Sequence, residues 1–372
     1  MDQMVIRRLF AGIYEGKKVF ITGHTGFKGS WLSFWLTKMG AIVKGYALSP
    51  VTNPNHFDLL NLNIESEIGD IRDQNNLEKS IHDFNPDIVF HLAAQPLVRL
   101  SYDNPVYTYE VNVIGTIKLF EACRINKVPV IINVTSDKCY ENREWIWGYR
   151  ENDPMGGFDP YSSSKGCAEI LTSSYRNSFF NLKHYGTKHK TLLASVRAGN
   201  VIGGGDWAMD RLVPDIMRSA ANGESVVIRN PNALRPWQHV LESLSGYLLL
   251  GQKLLSGCTY FSDGWNFGPS ENENMSVLNV TKQLGHDWDK VQIIINENPG
   301  DMHEAYMLRL ECSKAYTLLN WRPVFDIHQT IKETVNWYKL FYSENLVDTE
   351  ACLNRYLHLA KKNKICWTEK EY

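Results

Sequence analysis

This 372-residue chain has almost no net charge: 39 Lys and Arg stand against 41 Asp and Glu, leaving -2. Without a strong excess of either sign there is no electrostatic reason to expect a nucleic-acid partner. The basic runs are short, and "KKNK" near the C-terminus reads as a solvated tail. Long apolar runs are missing too. A membrane span needs ~20 apolar residues in a row, and no segment reaches that. The opening "MDQMVIRRLFAGIYEGKKVF" lacks the layout and the small-residue cleavage site of a signal peptide. Cysteine is sparse and odd in number: Cys123, Cys139, Cys167, Cys258, Cys312, Cys352 and Cys366 are scattered, with no CxxC spacing. The histidines form no HExxH pattern. These absences argue against a disulfide framework and a metal site, and the expectation is a protein of the cytoplasm with reduced thiols.

What is present is a globular composition, 44% hydrophobic, on a length that suits about two domains. In the first half, short β-branched runs alternate with longer helical patterns. "KKVFIT", "AIVKGYAL", "SEIGDI", "PDIVFHLA", "VPVIINVTS" and "TLLASVRAGNV" read as six strands. Between them, "FKGSWLSFWLTKMG", "NNLEKSIHDF", a segment from about Pro105 to Cys123 and "YSSSKGCAEILTSSYRNSFF" read as helices. Such alternation predicts an α/β fold, a Rossmann-type doubly wound parallel sheet covered on both faces. The second half is richer in Gly, Pro, Asn and Trp. Its helical patterns fall around Pro214–Ala221, Leu241–Leu255, Ser313–Leu319 and Ile327–Tyr342. The expected division is a dinucleotide-binding domain over 1–200, with a return segment near 237–265. A smaller α/β substrate domain is expected over 201–372.

"TGHTGFKG" sets Gly23, Gly26 and Gly29 between the first strand and the first helix. Small residues there let the backbone approach a pyrophosphate, and a helix N-terminus offers free N–H groups to it. The spacing is GxxGxxG, and its strand–turn–helix setting makes it a dinucleotide signal. The loop residues expected against the cofactor are Gly23, Thr25, Gly26, Phe27, Lys28 and Gly29. Asp70 and Ile71 follow the third strand, where a carboxylate can meet an adenine amine. Leu92, Ala93, Ala94 and Gln95 follow the fourth, where small residues suit a ligand crossing the sheet edge. The second strand ends "KGYALSP", without the carboxylate that binds a ribose 2′-hydroxyl and without an arginine cluster, although Lys44 is near. The residues therefore leave NAD and NADP both open.

"YSSSK" places Tyr161 and Lys165 on one helical face. An ammonium near a phenol lowers its pKa from ~10, so Tyr161 is a candidate base during hydride transfer and Lys165 a candidate ribose ligand. In "TSDKCY", at the end of the fifth strand, Ser136 can hold the oxygen that Tyr161 deprotonates. The adjacent Asp137 and Lys138 could be a mere solvated turn, but they follow a strand aimed at the same place.

Taken together, the glycine loop, "HLAAQ", "TSD" and "YSSSK", in this order and spacing, resemble the extended short-chain dehydrogenase/reductase family, over about Lys17 to Tyr342. "GHTGFKGSWL", "SDKCY" and "PYSSSKGCAE" resemble its nucleotide-sugar 4,6-dehydratases. The resemblance implies NAD as cofactor and CDP-glucose as substrate. The implied reaction oxidises C4, eliminates water across C5 and C6, and returns hydride to C6. Tyr161, Ser136 and Lys165 would serve the oxidation, and Asp137 would be the acid for the leaving C6 oxygen. Lys138 stands where dTDP-glucose dehydratases have a glutamate base, so it is expected near C5, as a base or as a cation beside the enolate. Substrate contacts are implied for Asn200, Leu212, Val213 and Arg235, and for His303 and Glu304 in "NPGDMHEAY"; Arg211 is a weaker candidate. A homodimer or homotetramer and a role in bacterial surface polysaccharide are further implications. A 4-epimerase would share all but Asp137 and Lys138, and a non-catalytic NAD-binding module would be free to lose the Tyr–Lys pair.

Overall fold

Seven strands, six of them largely apolar and the edge strand Glu65–Ile68 polar, pair side by side into one parallel sheet in the computed structural model, which describes residues 3–228, 230–270, 275–296 and 307–368. In chain order the first strands are β1 (Lys18–Thr22), β2 (Ile42–Ala47), β3 (Glu65–Ile68), β4 (Ile88–His91), β5 (Val130–Val134) and β6 (Leu192–Ala198). Short strands follow: β7 (Val201–Ile202), β8 (Ser225–Ile228), β9 (Leu234–Arg235) and β10 (Gln238–His239). The last are β11 (Gly264–Phe267), β12 (Met275–Ser276) and β13 (Gln292–Ile295). The sheet order is β11-β6-β5-β4-β1-β2-β3, so the chain winds outward from β1 to β3 and then resumes beside β1 at β4. That reversal opens a crevice at the carboxyl ends of β1 and β4, the place where doubly wound sheets bind ligands.

The sheet's residues divide between two cores by the two-residue period of a strand. Val19, Ile21, Ile88, Phe90, Ile132, Val134, Ala194 and Val196 enter one core. Phe20, Val89, Ile131 and Leu193 enter the other. The first is covered by the helices Phe27–Lys38 and Val240–Leu255, the second by Gln74–Phe84 and Gly115–Ile125. Both faces being buried explains why these strands read as continuous apolar runs. β11 joins β6 in parallel, with Gly264 opposite Ser195, and supplies a seventh strand that the six-strand reading lacked.

The helix expected from about Pro105 to Cys123 is interrupted. It runs over Pro105–Tyr109, widens to a π turn at Glu110–Ile114 and resumes over Gly115–Ile125. The π turn directs Asn112 under the end of β4, where it accepts from Gln95 N (2.8 Å) and donates to Ser164 Oγ (2.8 Å). Helices at His56–Leu60, Val98–Asp103, Val277–Asp287 and Thr349–Lys362 went unread in the sequence. "KKNK" is solvated as expected: Lys361 and Lys362 close the last helix and all four residues are exposed. In the second half β8 pairs with β13, β9 with β12 and β7 with β10.

Among the described residues no helix is long and apolar enough to cross a membrane. No group of three or more His, Cys, Asp or Glu among them could hold a metal ion.

Candidate active site

The carboxyl ends of β1, β4, β5 and β6 open into one cavity of about 1450 Å³. Pockets for one small ligand are typically ~300–1000 Å³, so this volume has room for two ligands side by side. Of the residues singled out from the sequence, the cavity wall brings together Gly23, Thr25, Gly26, Phe27, Lys28, Gly29, Asp70, Ile71 and Leu92–Gln95. It adds Ser136, Asp137, Lys138, Tyr161, Lys165, Asn200, Leu212, Val213 and Arg235. Arg211 lines it as well. His303 and Glu304 lie outside the described residues.

The glycine loop is built by close approach. Gly23 has φ +77, and a Cβ on it would lie 2.7 Å from Ala93 N. A Cβ on Gly29 would lie 2.1 Å from Gly23 O. The helix Phe27–Lys38 begins after Gly26 with no side chain capping its first turn. A tight cradle with an uncapped helix start fits a dinucleotide's pyrophosphate. Asp70, at the third strand's end, is gripped by Arg72 (2.7 Å), which holds its carboxyl below the usual range. Lys44 does not reach the cavity wall: it pairs with Glu65 (2.5 Å) and Glu67 (3.0 Å) on β3. The sequence reading missed His24 behind the loop. Burial lowers its pKa to about 4, and Nε2 shares a hydrogen bond with Ser66 Oγ at 2.7 Å.

"TSDKCY" turns out of β5 into a 3₁₀ turn, Asp137–Cys139. Ser136 Oγ donates to Asp137 Oδ1 (2.9 Å) and accepts from Lys138 N (3.2 Å). Asp137 is only 3% exposed, and its Oδ2 has no hydrogen-bond partner among the described residues. Burial raises its pKa, against the opposing pull of Lys138, the Ser136 hydroxyl, Arg235 and Lys28. A carboxyl so placed keeps its proton to higher pH, which is what a general acid needs. Lys138 is half-buried in the same wall.

The helix Pro160–Ser178 starts at Asp159, which accepts from Ser162 N (2.9 Å) and Ser162 Oγ (2.6 Å). Tyr161 N donates to Ser101 Oγ (3.1 Å), which ties the start of this helix to the helix Val98–Asp103. Its pKa differs from the sequence expectation. Burial raises it to about 12, while the Ser136 hydrogen bond and the charge of Arg211 act against burial. The expected cation was Lys165, whose Nζ instead donates to Val134 O at 3.4 Å and whose own pKa burial lowers to about 8. A desolvated phenol favours its neutral form more than these contacts favour the phenolate.

Beneath the turn lies a buried network that the sequence reading did not pick out. Glu169 pairs with Arg197 (2.8 Å) and accepts from Ser195 Oγ (2.7 Å) and from Thr135 Oγ1. Arg197 also donates to Tyr140 Oη (2.6 Å), which in turn donates to Asn266 Oδ1 (2.7 Å). This ties β5, β6, β11 and the Tyr161 helix together under the Asp137–Cys139 turn. Glu169 lies two helical turns beyond Tyr161, a spacing that could have been noticed, but its partner Arg197 sits on a different strand. On the other wall, Arg211 pairs with Asp206 (2.7 Å), and Arg235 is buried at the end of β9 with its charge acting on Asp137. Arg99 and Asp210 meet across the cleft mouth at 3.2 Å.

Comparison with known proteins places these features in a group. The model of the GDP-mannose 4,6 dehydratase family matches residues 20–334. The chain is 55% identical to a CDP-glucose 4,6-dehydratase of Salmonella typhimurium, over 88% of this chain and 91% of that protein. Its fold resembles that of the epimerase Mth375 of Methanothermobacter thermautotrophicus, with a TM-score of 0.77 and 22% identity over 91% of this chain and 96% of that one. It also resembles dTDP-glucose 4,6-dehydratase of Streptomyces venezuelae, solved with NAD bound, with a TM-score of 0.71 and 20% identity over 87% of this chain and 97% of that one. With a family model matching residues 20–334 and a relative 55% identical over 88% of the chain, the chain belongs to the GDP-mannose 4,6 dehydratase family.

Proposed function

We propose that the protein is an NAD-dependent CDP-glucose 4,6-dehydratase, converting CDP-D-glucose to CDP-4-keto-6-deoxy-D-glucose and water. The observation that carries this reading is Asp137, a buried carboxyl with one oxygen unpartnered among the described residues, beside Ser136. Oxidation at C4 or 4-epimerisation needs no such acid; elimination does. The 55% identity to a CDP-glucose 4,6-dehydratase supports the choice of sugar nucleotide.

The cradle of Gly23–Gly29, with Asp70, Ala93 and Lys165, would hold NAD. When bound, NAD supplies a two-electron acceptor that gives the electrons back within the same turnover. The protein's groups do the rest. Ser136 and Tyr161 bind the C4 hydroxyl, and Tyr161, in the fraction ionised to the phenolate, takes its proton. The resulting C4 ketone acidifies the C5–H bond. A base at C5, near which Lys138 stands, removes that proton, and its electron pair becomes the C5–C6 double bond. Asp137 gives its proton to the C6 oxygen, which leaves as water. Arg211 and Arg235 provide fixed positive charge for a doubly charged pyrophosphate. Asn200, Leu212 and Val213 complete the substrate wall.

We assign NAD binding to residues 1–200 with the return segment 237–265, and substrate binding mainly to the remainder. Exposed Val106, Ile114 and Ile170, on the helices flanking the Tyr161 helix and on that helix itself, suit a homodimer or a dimer of dimers. A cytoplasmic role supplying deoxysugars for bacterial surface polysaccharide such as O-antigen follows from the product.

The test is incubation with CDP-glucose and NAD, reading the absorbance that a 4-keto-6-deoxy product develops in alkali. Tyr161→Phe and Asp137→Asn should each lose roughly 10²- to 10⁴-fold in rate. If Asp137→Asn and Lys138→Ala dehydrate at the wild-type rate while Tyr161→Phe is inactive, the roles given to the pair are wrong. Absence of this product, with epimerised sugar in its place, would sink the dehydratase reading itself.

A further inference from the structure

The Asp137 carboxyl has little support of its own. Among the described residues its side chain makes one hydrogen bond, from Ser136 Oγ (2.9 Å) beside it, and Oδ2 makes none. Where the carboxyl points is therefore decided by the backbone of the turn Asp137–Cys139. One buried ion pair holds that turn at both flanks. Before it, Thr135 Oγ1 donates to Glu169 Oε1. After it, Tyr140 Oη accepts from Arg197 Nη1 (2.6 Å) and donates to Asn266 Oδ1 (2.7 Å). Glu169 Oε2 joins the two halves by accepting from Arg197 Nη2 (2.8 Å). The pair is itself anchored: Ser195 Oγ donates to Glu169 Oε2 (2.7 Å), and Arg197 Nη1 also donates to Glu151 O (3.0 Å). The Tyr161 helix packs on the turn without slack. A Cβ on Gly166 would lie 2.4 Å from Gly156 O and 3.1 Å from Cys139 O, and Gly156 N donates to Cys139 O at 2.8 Å.

We propose that Glu169 and Arg197 are positioning residues of the elimination step: through Thr135 and Tyr140 they clamp the turn at both ends and so aim the Asp137 carboxyl at the leaving C6 oxygen. This rests on the dehydratase reading. Thr135 and Tyr140 lie in the cavity wall, whereas Glu169 and Arg197 lie behind it and reach the reaction only through the turn. Apolar residues in place of a buried ion pair are often as stable or more so, so stability alone does not account for a pair in this position. What the pair adds is direction. A planar guanidinium and a carboxylate fix their hydrogen bonds at set angles, and a shift of ~1 Å at a reacting group can cost roughly 10²-fold in rate. Packing keeps the Tyr140 ring in place independently of its hydroxyl, since it stacks on Tyr149 with ring centres 5.2 Å apart. The hydroxyl contributes the aim.

The test removes single hydroxyls and leaves the ion pair intact, because unpairing a buried charge threatens the fold. Thr135→Val loses the bond to Glu169 and keeps the backbone bond from residue 135 N to Val196 O (2.9 Å). Tyr140→Phe loses the bond from Arg197 and keeps the ring stack. With CDP-glucose, below the melting range, each should lower kcat roughly 10- to 100-fold and leave KM and NAD affinity nearly unchanged. Thr135→Ser, which keeps the hydroxyl, should return kcat to within about threefold of wild type. Tyr140→Phe frees the end of the turn beyond Asp137, so enzyme-bound NADH should build up during turnover, read by its absorbance. In an Asp137→Asn background neither substitution should cost more, because effects that run through one group do not add. Either variant suffices if the other does not fold. Wild-type kcat in both overturns the proposal, as does an equal loss in Thr135→Ser or a full further loss beside Asp137→Asn. Slow turnover of Tyr140→Phe without NADH build-up also overturns it, by placing the loss in C4 oxidation. A wild-type protein that forms no 4-keto-6-deoxy sugar fails the dehydratase reading instead, and that measurement alone separates the two failures.

Discussion

At Asp137 chemistry and stability pull in opposite directions. The proposed elimination requires a carboxyl that retains its proton, and burial of Asp137 favours that form. The same burial makes the ionised form costly in the folded protein. A folded-state pKa raised above the unfolded one contributes its stability below the unfolded value, and that contribution is lost as pH rises through the folded value. Asp137→Asn should therefore melt at a higher temperature than wild type at pH 8, by about 1 kcal/mol in stability. The advantage should shrink as the pH is lowered toward the carboxylate range. Melting curves at a series of pH values check this; an Asn variant less stable than wild type at pH 8 would contradict the burial assigned to this group. Tyr161 carries the opposite lesson. Its helical spacing to Lys165 was plain in the sequence, but its pKa is set by burial, Ser136, Asp137 and Arg211. Desolvation and a charge from the other half of the chain are not properties of a local pattern.

Among the elements, the strand–loop–helix unit at Lys18–Lys38 does most to shape the cavity. Strand β1 and the glycine spacing were legible because each obeys a local rule of composition or turn, whereas the helix Phe27–Lys38 is buried without a break over Gly29–Leu36 and presents no amphipathic face. The contact that makes the loop a cradle is not local in the same way, since Gly23 touches Ala93. Gly29→Ala puts a Cβ where Gly23 O already lies, at 2.1 Å, so loop and helix must separate. This variant should lose at least tenfold in NAD affinity, measured by fluorescence titration of the free protein, with a lower melting temperature. Unchanged affinity would mean that the cradle is not where the dinucleotide binds. The π turn at Glu110–Ile114 shows the converse. The run around it reads as one helix by periodicity, and only the need to aim Asn112 at Gln95 and Ser164 distinguishes it.

On the scale of the whole molecule, the two ends of the chain close over one core. The ring of Phe10 stacks on Trp367 at 5.1 Å, Trp367 meets Trp35 of the first helix at 5.8 Å, and Tyr14 Oη donates to Leu248 O at 2.6 Å. The sequence reading left the residues before Lys17 and after Tyr342 outside its resemblance, since neither carries a motif. They cover apolar faces of the helices Phe27–Lys38 and Val240–Leu255, which would otherwise meet water. Phe10→Ala should cost ~3–5 kcal/mol by cavity formation, seen as an earlier denaturation midpoint, while turnover below the melting range stays near wild type. A loss of turnover with no loss of stability would place this clasp in the catalytic cycle.

The sequence by itself determined the six strands of the first half and the longer helices between them, because hydrophobic period and glycine turns act over a few residues; the short helices His56–Leu60 and Val98–Asp103 carry too little period to be read. It also singled out Ser136, Asp137, Lys138, Tyr161 and Lys165, which the fold brings to one cavity wall from the end of one strand and the face of one helix. Only the tertiary structure decided what state those groups are in. The burial of Asp137, the charge that reaches Tyr161 and the pairing of Glu169 with Arg197 all depend on residues far apart in the chain. Proton affinity is set by the dielectric and the charges around a group, and those are assembled only when the fold closes.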